Sequence, residues 1–129
     1  MEILLRASLI AWLSADATLG PMLNSITEEA PLRTSLPWLA LSASASVDWS
    51  TKTETGEESR IAFELHLRAD QPNGGADIVA ALRASLAAMP ANQAGFTIIG
   101  RQFLRSRAEQ RSETTRAILI EYRFRTLLS

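Results

Sequence analysis

The period of the hydrophobic positions changes several times along the chain, and each change marks an element. In residues 2–15, Leu5, Leu9, Trp12 and Leu13 fall on one stripe at the ~100° per residue of an α-helix. Ile3 and Ile10 flank the stripe with Arg6 between them, and Leu4, Ala7 and Ala11 lie on the far side. This helix is apolar around more of its girth than one contact needs, so a second contact, within or between chains, is expected. Asp16 to Pro21 is a break, punctuated by Gly20-Pro21. A short strand is assigned to residues 25–28, and Pro31 and Pro37 bound a loop. From Trp38 to Val47 the pattern alternates, with Leu39, Leu41, Ala43, Ala45 and Val47 on the apolar face of a half-buried strand.

Residues 48–58 are polar and unpatterned around Gly56, as in a long hairpin loop. The clearest strand follows over residues 60–68: Ile61, Phe63, Leu65 and Leu67 point one way, and Arg60, Ala62, Glu64, His66 and Arg68 the other. Gln71-Pro72-Asn73-Gly74-Gly75 breaks the chain before a helix over residues 76–89. Its stripe is Ile78, Val79, Leu82, Leu86 and Met89; its reverse side is mostly alanine, which favours the helix and lets another surface come close. Pro90 ends it. Residues 96–105 read as a strand with imperfect alternation, which a bulge near Gly100 or cover on both faces would explain. After a polar loop at 106–114, residues 116–126 alternate again, with Ile118, Ile120, Tyr122 and Phe124 inward and Glu121, Arg123 and Arg125 outward.

The resulting order is α-(β)-β-β-α-β-β. It predicts an α+β fold: an antiparallel sheet of four to five strands with both helices packed on one face. At 129 residues the chain is read as a single domain spanning 1–129. No run reaches the ~20 apolar residues of a membrane span. The apolar start lacks the basic front of a secretory signal, since Glu2 leads and Arg6 interrupts, so synthesis in the cytosol is expected.

Charge refines this picture slightly. The net charge is −1, but residues 1–100 carry −5 and residues 101–129 carry +4, and 12 of the 13 basic residues are arginine. The weak overall field predicts no strong attraction to membranes or nucleic acid. Arginine suits fixed ion pairs between protein surfaces, so a dipolar subunit of this kind fits stacking or ring assembly.

Chemistry is largely missing from the sequence. There is no cysteine, which excludes disulfides, thiolate metal sites and a cysteine nucleophile. His66 is the single histidine; no Gly-x-Ser-x-Gly turn presents a serine, and Glu64 alone does not complete a metal site. Gly74-Gly75 has no following Gly-Lys-Ser/Thr, so no phosphate loop is predicted. Glu28-Glu29 and Glu57-Glu58 are solvated neighbours rather than an acid–base pair. No catalytic residue, cofactor or metal is assigned. Arginines interleaved with Phe103, Tyr122 and Phe124 leave one alternative, a small nucleic-acid-binding module built on the C-terminal hairpin. Core aromatics with outward arginines is the preferred reading.

The segment Asp48-Trp49-Ser50-Thr51-Lys52-Thr53-Glu54-Thr55-Gly56-Glu57-Glu58, followed by the alternating strand from Arg60 to Arg68, resembles the small tail-completion proteins of siphophage-like particles. The likeness is greatest to those encoded in prophages and gene transfer agents of alphaproteobacteria. It extends to the Pro-aromatic strand start Pro37-Trp38-Leu39-Ala40-Leu41 and the closing Tyr122-Arg123-Phe124-Arg125. Two places depart from the family pattern: Leu67-Arg68-Ala69 stands where a Trp-Ser pair is common, and Ile26-Thr27-Glu28 matches the first strand loosely.

The resemblance implies a structural protein without an active site. It implies a ring, commonly hexameric, that ends the tail tube and presents a surface to the head-side connector or stopper protein. The partners are then other copies of the chain, the major tail-tube protein and that connector. The place of action is the bacterial cytoplasm during assembly and afterwards the particle tail. A closed ring needs a heterologous interface. The surfaces expected to supply it are Trp49, Lys52, Glu54, Glu57 and Glu58 of the loop, Arg60, Glu64, His66, Arg68, Glu121, Arg123 and Arg125 of the charged sheet face, and the alanine face of helix 76–89.

Overall fold

A computed structural model describes residues 2–31 and 33–129. Leu32, inside the expected loop between Pro31 and Pro37, lies outside the described residues. The elements are α1 (Glu2–Ala15), β1 (Ile26–Thr27), β2 (Trp38–Asp48), β3 (Gly56–Arg68), α2 (Ala76–Ala88), β4 (Asn92–Gln93), β5 (Phe96–Gln110) and β6 (Thr115–Leu128). They form one sheet in the order β1-β2-β3-β6-β5-β4.

This corrects the expected sheet of four to five antiparallel strands. There are six among the described residues, and β1 runs parallel to β2. β1 and β4 are two residues each. Elements that short have no period to detect, and only the main chain of a neighbouring strand defines them. The four long strands β2, β3, β6 and β5 pair antiparallel throughout, as the alternation predicted.

The core confirms the predicted facing. Leu5, Leu9 and Leu13 of α1 and Ile78, Leu82 and Leu86 of α2 are buried against Ile61, Phe63, Leu65 and Leu67 of β3 and Ile118, Ile120, Tyr122 and Phe124 of β6. Each such side chain contributes about 1.5–3 kcal/mol on burial, which is what holds both helices to one face of the sheet. Trp12 ties α1 to α2 by donating Nε1–H to the Ser85 carbonyl at 2.8 Å. Asp16 stops α1 by turning its carboxylate onto the next amides, accepting from Leu19 N–H at 2.7 Å and Thr18 N–H at 2.9 Å. Those contacts, the Leu19 amide first, hold the Asp16 carboxyl below its ordinary value.

Three features differ from expectation. β5 and β6 extend into the expected loop at 106–114, leaving only residues 111–114 as the turn. The polar run Ser106-Arg107-Ala108-Glu109-Gln110 pairs with β6 through main-chain bonds, which need no apolar side chain. β3 starts at Gly56 for a related reason, so the loop shortens to residues 49–55. Gly56 is buried where an added Cβ would lie 2.9 Å from Leu127 Cδ2, a close approach that favours glycine at a position propensity marks against strand. β5 does contain the bulge expected near Gly100: the register shifts between Ile98 and Gly100, and again between Phe103 and Arg105. Between them Arg101 and Phe103 face the helices, opposite Phe124 and Tyr122.

The third difference is in β2. A register shift between Leu41 and Ala43 reverses its facing. Ser44 and Ser46 then stand opposite Ile61 and Ser59 on the helix side, whereas Ala43, Ala45 and Val47 share the outer face with Ala62, Arg60 and Glu58. The expected apolar face of Ala43, Ala45 and Val47 is therefore the solvent face, and Val47 is 61% exposed. The two inward serines are used by α1: Ser44 and Ser46 hydroxyls each donate to the Glu2 carboxylate at 2.7 Å, and Arg6 donates to Ser44 at 2.9 Å.

The serine hydroxyls, Ser44 first, hold the Glu2 carboxyl below its ordinary 4.5. A carboxyl lowered in the folded state adds stability above its unfolded value and loses it as pH falls through the lowered one. Ser44→Ala is expected to cost under about 1 kcal/mol at pH 7, because Glu2 is only partly buried and keeps its bond from Ser46. The deficit should shrink in acid below 4.5. Urea midpoints at pH 7 and pH 3 check this, and a deficit that grows in acid rejects it.

Candidate interaction surface

The outer sheet face carries a lattice of paired charges. Glu58 of β3 accepts from Arg125 Nε at 2.9 Å, and Arg123 Nε lies 3.8 Å away. The hydrogen bond from Arg125 is the first cause holding the Glu58 carboxyl below its ordinary value, with Arg123 and Arg60 adding to it. Arg125 also lies over the Trp49 ring, 5.2 Å from its centroid. Arg123 bonds Gln102, and Glu121 pairs with Arg105 across the β5–β6 ladder. Nearer the other end of the strands, His66 Nε2 lies 2.5 Å from Glu64 Oε1, which also receives Arg111 at 3.3 Å. Trp38 stacks on the His66 ring at 3.9 Å and 14°. Arg68 pairs with Asp70 at 3.2 Å.

The structure thus brings Glu58, Arg60, Glu64, His66, Arg68, Glu121, Arg123 and Arg125 onto one face, with Trp49 at its margin. It separates the others. Lys52 and Glu54 are exposed in a loop folded on itself, where Thr51 N–H donates to the Glu54 carbonyl at 2.8 Å and Gly56 N–H to Ser50 Oγ at 3.0 Å. Glu57 points to the opposite side of the sheet from Glu58, because it alternates with Glu58 and stands opposite buried Thr126. The Glu57-Glu58 pair is two sites on two faces.

Two further features complete the surface: open sheet edges, which no side-chain pattern announces, and two grooves, one of them on the alanine side of α2 read from the sequence. β1 pairs only with Leu39 and Ala40, and β4 only with Phe96 and Thr97. The outer edge of β2 beyond Ala40 and that of β5 beyond Ile98 therefore have no strand beside them among the described residues. A groove of about 520 Å³ opens beside the β2 edge between Arg6, Glu28, Glu29, Trp38, Glu64 and His66. A second, of about 620 Å³, lies between α2 and β5, walled by Ala80, Ala84, Ala87, Arg83, Arg101 and Phe103. Arg83 covers the Phe103 ring at 4.0 Å, and Arg101 donates to the Leu86 and Met89 carbonyls at 2.7 and 2.6 Å, closing the end of α2. Among the described residues no three His, Cys, Asp or Glu side chains are grouped to hold a metal ion. What the surface offers is a patterned set of charged and hydrogen-bonding side chains.

Comparison with known proteins agrees in kind. The family model described as tail completion protein gp17 matches residues 7–127. A solved structure described as the virion of a native gene transfer agent particle contains a chain of the same fold, with a TM-score of 0.71 at 23% identity over 98% of this chain and 96% of that one. No curated protein matches this chain in sequence.

Proposed function

Because this chain belongs to the tail completion protein gp17 family, whose model spans nearly its whole length, we propose that it closes the head-proximal end of a tail tube as a ring and joins it to the head-side connector. The family membership carries this reading, and the surface supports it. A fold with one helix-covered face, one charged face and two open edges has separate surfaces for sister copies, for the tube and for the connector. A hexamer is the expected ring, each subunit acting as one domain and without catalysis or cofactor. The outer-face charges from Glu58 to Arg125, with the exposed loop residues Lys52 and Glu54, are its contact residues toward partners. Assembly takes place in the bacterial cytoplasm, and the protein then remains in the particle tail.

Two observations weigh against the alternative of a nucleic-acid-binding hairpin. Tyr122 and Phe124 are buried, and Arg105, Arg111, Arg123 and Arg125 have carboxylate partners. Deleting the gene from a producing strain is expected to yield heads and tail tubes that do not join, with tubes of uncontrolled length in negative stain. Complementation should restore joined particles. Normal, joined tails in the deletion strain would refute the proposal.

A further inference from the structure

We propose that sister copies join edge to edge: the open edge of β5 on one copy pairs antiparallel with the open edge of β2 on the next, and Ile3 of that next copy seats in the alanine groove between α2 and β5. This deepens the ring reading above and rests on it.

The strand directions permit the contact. Three antiparallel pairings separate β2 from β5, so the two edge strands run in opposite directions. Continuing the sheet into another copy with its helices on the same side therefore makes an antiparallel pair, like every long pair inside the subunit. The heights agree as well. Val47 is level with Gly100 through Glu58 and Arg125, and Leu41 is level with Ser106 through Phe63 and Ile120. β1 caps the β2 edge at one end of this window, and β4 caps the β5 edge at the other. Between the caps, Leu41–Val47 and Gly100–Ser106 are open at the same height, about 24 Å of strand. Unpaired edges of that length are what strand addition uses, and folded proteins otherwise tend to cover or interrupt them.

Side chains on both layers fit the same docking. α1 is bonded to Ser44 and Ser46 of β2, and Ile3 beside those contacts is 79% exposed. Ser44 and Ser46 are level with Phe103 and Arg101 through Ile61–Tyr122 and Ser59–Phe124. Those two β5 residues form the floor of the alanine groove. Edge pairing would thus bring an exposed isoleucine to a groove walled by Ala80, Ala84 and Ala87, with Arg83 lying over the Phe103 ring beside them. Charge bears on the partner: the Leu41–Val47 window of β2 is uncharged, whereas the Gly100–Ser106 window of β5 holds Arg101 and Arg105 and no acidic residue. β5 meeting β5 would set arginine against arginine, which β2 meeting β5 avoids. A contact between two different edges is heterologous, the type from which rings close.

The absence of native cysteine allows a direct test. Ala45→Cys on the outer face of β2 is combined in turn with Gln102→Cys, Arg105→Cys and Arg107→Cys on the outer face of β5, and each protein is bound to tail tubes and oxidised with diamide. At least one double variant is expected to give a ladder of covalent oligomers, each β5 single variant mixed with Ala45→Cys a dimer at most, and each single variant alone no ladder. Rings at tube ends with none of the three pairs cross-linked would overturn the edge contact while leaving the ring reading intact; efficient self-cross-linking of Ala45→Cys alone would overturn it in favour of a two-fold contact. Tubes that carry no ring at all would remove both. Ile3→Arg, placed to meet Arg83 and Arg101 of the next copy, should keep the thermal midpoint and lose the ring. Unchanged rings would remove Ile3 from the contact.

Discussion

Phe63→Ala is expected to cost about 3–5 kcal/mol of folding stability, the range for removing a large aromatic from a closed core. Phe63 is fully buried, stands between Leu41 and Ile120 in the ladder, and meets Tyr122 edge to face at 6.1 Å and 88°. The site cannot collapse onto the gap easily, because β6 pairs with β3 without interruption on one side and β2 pairs with it on both sides of its bulge on the other. With roughly 3–5 °C lost per kcal/mol in a chain of this size, the thermal midpoint should fall by roughly 10–20 °C. Phe103→Ala is the control. That ring is only partly buried against the core, so its loss should cost about 1 kcal/mol or less in the isolated chain. Equal losses in calorimetry of the two variants would mean that the sheet centre is not the rigid core described above.

Gly75→Val is expected to be damaging on a similar scale, at about 2–6 kcal/mol. Two causes add. Gly75 has φ +85, where a side chain strains the backbone by about 1–3 kcal/mol. Its missing Cβ would also lie 2.5 Å from Leu67 Cδ1, in the core, and overpacking of that kind costs about 1–3 kcal/mol more. Gly74 separates the causes. Its φ of +61 is equally left-handed, but an added Cβ there meets only the Arg116 guanidinium tip at 3.0 Å, which can swing away. Gly74→Asn should therefore cost about 1 kcal/mol or less, since asparagine tolerates this region and Asn73 already adopts φ 55. A Gly74→Asn variant as unstable as Gly75→Val, read from urea midpoints, would show that the turn geometry and not the packing under it decides.

The same turn shows why some of the site was readable and some not. Asn73-Gly74-Gly75 announces a break before a helix from residue type alone, and the stripe of Ile78, Leu82 and Leu86 announces which side of that helix is buried. Likewise Arg60, Glu64, His66, Arg123 and Arg125 were placed on one face by strict alternation with large apolar residues. β2 is the contrary case. After Leu41 its residues are Ser-Ala-Ser-Ala-Ser-Val, in which the two faces differ too little in hydrophobicity for either phase to be preferred. After the bulge, Ser44 and Ser46 come to the helix side and are engaged by Glu2 and Arg6 of α1, about forty residues away along the chain. Glu57 and Glu58 were grouped for the same reason: neighbours in a polar run look like a loop until β6 pairs with them.

Local order is written in the chain itself, because side-chain period and turn chemistry act over a few residues. That was enough for the two helices, the four long strands, the facing of the core, the charged outer face and the family likeness. The length of β5, the reversal within β2, the two-residue strands at the margins and the matched open edges came only from tertiary structure. They are fixed by main-chain hydrogen bonds between distant segments, and a main chain carries the same donors and acceptors whatever side chains it bears.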